Sequence, residues 1–118
     1  MKNDNPIQIK SFQLGLAVIK IYKYLKGQNE FVLAKQILKS GTSVGANVEE
    51  AIGGQSNKDF LMKITIAYKE ARETAFWLKL LEASHYLNRE QLEEAHKICD
   101  EVLRILGTIQ KTTKANLK

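Results

Sequence analysis

A chain of 118 residues, 44% hydrophobic and 26% charged, has the composition of one globular domain with a real core, and its single proline and seven glycines suit a helical one. Eighteen basic against 13 acidic residues leave a net charge of +5, which permits attraction to a polyanion without demanding it. One cysteine excludes an intrachain disulfide framework; no apolar run approaches membrane-spanning length, and Met1-Lys2-Asn3-Asp4-Asn5-Pro6 lacks the apolar segment of a signal peptide, so a cytoplasmic location without membrane contact is expected.

The first predicted helix covers about residues 8 to 26. Phe12, Leu16 and Ile19 form one apolar stripe and Leu14, Val18, Ile21 and Leu25 a second, so two packing partners are expected. This helix is purely basic: it carries Lys10, Lys20, Lys23 and Lys26, and no acidic residue lies between Asp4 and Glu30. Gly27-Gln28-Asn29 then supply turn residues.

A second helix is expected over about residues 30 to 52, with Leu33, Ile37, Gly41, Val44, Val48 and Ile52 on one face. That face is thin. Gly41 and Gly45 each cost a helix roughly 1 kcal/mol relative to Ala, so a neighbouring helix whose backbone comes close is expected to offset them. Gly53-Gly54 stop the helix, and Ser56 with Asp59 makes a variant capping box for a third, over about residues 57 to 85. Phe60, Ile64, Ala67, Ala71, Ala75, Leu78 and Leu81 share one of its faces, and Met62, Ile66, Phe76 and Leu80 another, more apolar surface than one contact requires. Asn88 and Gln91 are the cap pair of a fourth helix, about residues 89 to 112, carrying Leu92, Ala95, Cys99, Val102, Leu106 and Ile109. Four helices with short connections and no competing strand pattern predict an all-α, up-down-up-down antiparallel four-helix bundle filling residues 1–118 as one domain.

Glu82 with His85 and Glu93 with His96 have the Glu-x-x-His spacing of di-metal sites in bundles. The remaining ligands are lacking: the first helix has no carboxylate and the second offers only Glu30 at that end, because Glu49 and Glu50 lie near the other. Cys99, a helical turn beyond His96, adds a third candidate ligand, yet three around one turn are common by chance. Structural histidines, with no metal or other cofactor, are therefore expected. Ser40, Thr42 and Ser43 have no histidine placed as a base, and Gly53-Gly54-Gln55-Ser56 lacks the Lys-Ser/Thr pair of a phosphate loop. No catalytic residue is assigned. Lys20 and Lys23, at i,i+3, and Lys35 and Lys39, at i,i+4, would give the first two helices a basic strip suited to phosphates, the plainer alternative being a solvated face. Tyr22, Tyr24 and Tyr68 suit base stacking or half-buried packing equally.

Gln36, Lys39-Ser40, Ser43, Asn47 and Glu50, followed by Ser56, Asp59-Phe60, Ala67 and Glu73, form a pattern. It resembles the small bacterial four-helix-bundle proteins named for the intervening sequences of 23S ribosomal RNA, the S23 ribosomal protein-like family. The match spans the second and third helices and departs at Ala51 and Lys69, where Gly is common in the family, and at Glu70, where Ser is common. The resemblance implies a ring, typically a homopentamer, without known catalytic activity. A related member, the accessory variability determinant of diversity-generating retroelements, works with a reverse transcriptase and binds nucleic acid through a basic surface. The expectation is thus a non-enzymatic oligomer that binds RNA or DNA through Lys20, Lys23, Lys35 and Lys39. The alternative is a ring-shaped scaffold for a partner protein that never touches nucleic acid. Asn47 and Glu50 are expected to cap or bridge the hairpin of the second and third helices.

Overall fold

The computed structural model describes residues 5–117. Met1 to Asp4, read above as lacking a signal segment, and Lys118 lie outside the described residues. Four helices follow one another: α1 (Pro6–Gly27), α2 (Val32–Ile52), α3 (Asn57–Ala83) and α4 (Arg89–Asn116).

Hydrogen-bonding chemistry sets their ends. Asn5 Oδ1 accepts from the amides of Ile7 (3.0 Å) and Gln8 (3.4 Å), and Pro6 occupies the first turn, where its missing N–H leaves no bond unmade. The first helix therefore starts ahead of the apolar stripe. Likewise α4 runs on to Asn116, past the expected end, although its last turn carries no apolar stripe; there the Thr113 hydroxyl donates to the Ile109 carbonyl (2.7 Å). Ser56 Oγ accepts the Asp59 amide (3.1 Å) at the head of α3, and Asn88 and Gln91 exchange a complete capping box at the head of α4 (2.8 and 2.9 Å).

Helices α1 and α3 end alike. The amide of Glu30 donates to the Leu25 carbonyl (2.9 Å) and that of Asn29 to Lys26 (3.0 Å), with Asn29 left-handed at φ 61°. The amide of Tyr86 donates to Leu81 (3.1 Å) and that of His85 to Glu82 (3.1 Å), with His85 at φ 65°. Both are Schellman closures, and up-down-up-down order puts them at the same end of the bundle. The Glu30 carboxylate joins them: Oε2 accepts the Leu33 amide (2.8 Å) at the start of α2, and the side chain also bonds the Tyr86 hydroxyl, holding that phenol above its usual pKa.

Helix α1 packs on α2 and α4, and α3 packs on the same two from the opposite corner, in an elongated bundle of 48 × 28 × 22 Å. Its core is a ladder of Leu14, Val18, Ile21 and Leu25 from α1, Ile37, Val44 and Val48 from α2, Ile64, Leu78 and Leu81 from α3, and Leu92, Val102 and Leu106 from α4. Full burial of each such side chain contributes roughly 1.5–3 kcal/mol. The two glycines of α2 face α1 as their cost demands. A Cβ on Gly41 would lie 2.6 Å from both γ-carbons of Val18, and one on Gly45 would lie 3.4 Å from the Ser11 carbonyl oxygen. Ile52, expected on the buried face, is exposed; Ala34, Ser40 and Ala51 complete that face instead, because the core side of α2 lies between α1 and α3 and Ile52 has turned past it.

Between α2 and α3 the buried hydroxyls of Ser40 and Thr74 meet at 2.9 Å. Thr74 Oγ1 is also 2.8 Å from the Glu70 carbonyl and Ser40 Oγ 3.4 Å from that of Ile37, so both are satisfied inside the core.

Candidate functional site

The α1–α2 hairpin concentrates positive charge. From Asn5 to Val48 the chain carries Lys10, Lys20, Lys23, Lys26, Lys35 and Lys39 against the single acid Glu30, whose carboxylate is occupied at the start of α2 and at Tyr86. Lys10 pairs with Glu101 across the α1–α4 seam (3.3 Å), whereas the other five form no ion pair among the described residues. Those five lie within the last two turns of α1 and the first two of α2, a length of about 10 Å on each helix.

They do not all face one way. Lys20 lines a cleft of about 350 Å³ on the α1–α4 seam with Glu90 and Glu94. Lys39 lies towards α3, where its charge partly offsets the burial and the Glu73 repulsion that raise the Glu70 pKa. Lys23 and Lys35 stand exposed between them on α1 and α2. Lys26 sits over the ring of half-buried Tyr22 at 5.4 Å. Tyr68 is also half-buried, beside Gly107, and Tyr24 is exposed.

The remaining motif residues act within and between helices. Ser43 Oγ donates to the Lys39 carbonyl (2.7 Å), and Asn47 Nδ2 donates to the Ser43 carbonyl (2.8 Å). Asn47 thus bonds its own helix rather than capping α3, whose first amides Ser56 already serves. Glu50 does bridge the hairpin, through Lys63 at 2.7 Å. Phe60 packs half-buried against the core beyond Asp59, Glu73 accepts the Trp77 indole N–H (3.2 Å), and Gln36 is exposed.

The candidate metal ligands separate. His96 Nε2 lies 3.1 Å from Glu82 Oε1, with Arg89 3.6 Å from the other oxygen. His85 is exposed in the α3–α4 turn, and Cys99 is buried with its thiol donating to the Ala71 carbonyl (3.4 Å). Burial, with Asp100 adding to it, pushes that thiol up to about 12. No group of three or more such side chains suited to a metal occurs among the described residues.

Two outward faces are apolar. On α1, Ile9, Phe12 and Leu16 are exposed, with Phe12 and Leu16 flanking a groove of about 310 Å³ whose floor includes Gly15, Gly45 and Ala46. On α3, opposite the core, Met62, Phe76 and Leu80 are exposed. The stripe of Phe12 and Leu16 on α1 and that of Met62, Phe76 and Leu80 on α3 therefore have no partner helix among the described residues. Sequence reasoning passed over Phe31, half exposed just ahead of α2 with lysines on both sides. Its signal was an aromatic residue beside the Gly27-Gln28-Asn29 turn, between Lys26 and Lys35.

A family model described as 23S rRNA-intervening sequence protein matches residues 3–108. The chain is similar to a crystal structure of a protein of unknown function from the S23 ribosomal protein family of Bacteroides thetaiotaomicron VPI-5482. The two share 44% identity and a TM-score of 0.86, over 89% of this chain and 98% of that one. No curated protein matches the chain significantly. No described helix is long and apolar enough to cross a membrane.

Proposed function

We propose, from the premise that this chain belongs to the 23S rRNA-intervening sequence protein family, that it is a non-catalytic accessory binding RNA or DNA through the lysines of the α1–α2 hairpin. The observation that carries this reading is the set of five lysines without ion pairs in the turns flanking the hairpin connection. A phosphate backbone offers such a set regularly spaced anions, and each contact adds affinity by releasing condensed counterions. Lys23 and Lys35, exposed on adjacent helices, are the central contacts; Lys20 and Lys39 extend the surface to either side. The accessory variability determinant, with its basic surface, supports the same reading by analogy of fold alone.

Self-assembly belongs to the same proposal. The apolar outer faces of α1 and α3 differ from one another, and a face of one copy meeting the other face of the next gives head-to-tail contacts, the kind that form a ring when the rotation between copies closes. The resemblance implies five copies. Assembly multiplies the lysine surface and so strengthens attachment to a long polymer.

Fluorescence anisotropy with labelled RNA and DNA, at about 50 and about 200 mM salt, tests binding. Affinity that falls steeply with salt is expected; no binding to either polymer overturns the proposal. In that event the exposed Phe12, Leu16, Met62 and Phe76 favour the second reading, a scaffold that docks a partner protein. Light scattering on a sizing column reads the native mass, and a monomer overturns the assembly.

A further inference from the structure

Phosphate contacts alone leave one feature of this surface unexplained. Phe31 is 50% exposed in a turn whose other exposed side chains are mostly polar or charged, and no other aromatic ring stacks on it among the described residues. Its backbone is nevertheless fixed, because its carbonyl accepts the Lys35 amide (3.1 Å) in the first turn of α2. The ring thus stands on a rigid base, one helical turn from Lys35 and across the Schellman closure from Lys26. The carboxylate of Glu30, the acid in this turn, is turned to the Leu33 amide (2.8 Å) and the Tyr86 hydroxyl.

A duplex can use the lysines but not the ring, since its base faces are already stacked on one another. An unpaired base can use both. We infer that the α1–α2 turn is a single-strand contact, in which a base stacks on Phe31 while Lys23, Lys26 and Lys35 hold the flanking phosphates. This rests on the nucleic-acid reading above and deepens it, naming an unpaired RNA or DNA segment as the ligand. Stacking platforms set among lysines are the general solution for single strands, because every base has a π-face and the backbone supplies the charge.

The test uses the full chain with a labelled oligouridylate and an oligothymidylate of about 12 nucleotides, a length within the usual single-strand site sizes, and a duplex of equal length. Phe31→Ala is expected to weaken binding to both single strands by about 5- to 100-fold and leave duplex binding unchanged. Phe31→Trp keeps a π-face and is expected to retain single-strand affinity. Val32→Ala, next to it and 70% exposed, removes an apolar side chain without a ring and is expected to change neither. Native mass, measured on each variant, is expected to stay that of the wild type, which separates stacking from assembly. Equal losses on single strands and duplex, an unaltered single-strand affinity in Phe31→Ala, or a changed native mass in that variant would overturn the inference while the lysine reading stands. Failure of the wild type to bind any of the three probes would overturn both.

Discussion

Gly41 of α2 lies so close to Val18 of α1 that a Cβ there would come within 2.6 Å of both Val18 γ-carbons and 3.0 Å of its Cβ. Helix propensity alone favours Ala at this position by roughly 1 kcal/mol. Steric overlap opposes it, and the Val18 side chain, branched at Cβ, has few rotamers into which to retreat. Gly41→Ala is therefore expected to destabilise the bundle by about 1–3 kcal/mol in urea denaturation. Combining it with Val18→Ala should recover part of that loss, because the two changes share one space. A more stable single variant would show that the helices part without cost.

Glu70 gives the bundle a pH dependence of known sign. Burial, then the neighbouring Glu73 carboxylate, raise its pKa above the ordinary 4.5, with Lys39 and Lys69 opposing. The folded state thus holds the proton more tightly than the unfolded chain. Below pH 4.5 both states are protonated and Glu70 contributes nothing; as pH rises from there through the folded-state pKa, its contribution becomes unfavourable. Glu70→Gln is expected to raise the melting temperature at pH 7, with the advantage shrinking on acidification. An advantage independent of pH would contradict the ionisation account.

Cys99 should be chemically silent in the folded protein. Its thiol is 1% exposed, donates to the Ala71 carbonyl and is pushed up to about 12, so hardly any thiolate exists at pH 8. Labelling by a disulfide reagent is expected only at the rate of unfolding, and fully in denaturant. Rapid labelling of native protein would mean that the α3–α4 seam opens far more easily than its packing implies.

His85 occupies a left-handed position, φ 65°, that penalises any residue with a Cβ. His85→Gly is expected to stabilise the bundle by about 0.5–1 kcal/mol, the relieved strain exceeding the added freedom of the unfolded chain. Thermal unfolding reads this directly, and a lower melting temperature would mean that the imidazole makes contacts outweighing its strain.

The sequence made some of these features visible and hid others for physical reasons. Periodicity located the core faces of α4 and, apart from Ile52, of α2, and offered two candidate stripes each for α1 and α3; the cost of Gly41 and Gly45 announced the close approach of a neighbouring helix, which is α1. Helix ends were less legible, since the Asn5 cap and the polar last turns of α4 carry no apolar period. A Schellman closure ordinarily betrays itself by glycine, and His85 stands in that place. Sequence reasoning passed over Thr74, whose buried hydroxyl meets that of Ser40 across the α2–α3 contact. Asn47 was assigned to the hairpin because of its position near the end of α2, yet a carbonyl one turn back was nearer. The lysines could be read as a charge excess, but which seam each faces depends on where α3 and α4 lie.

The salt dependence of single-strand affinity, compared between the wild type and Lys23→Gln/Lys35→Gln, tests the central functional claim most directly. Each phosphate contact to a single strand contributes about 0.7 to the slope of log affinity against log salt. The wild type is expected to show a steep negative slope, made shallower by about 1.4 in the double variant while its melting temperature is retained. A wild-type slope near zero, or the same slope in both proteins, would contradict phosphate binding at the α1–α2 hairpin.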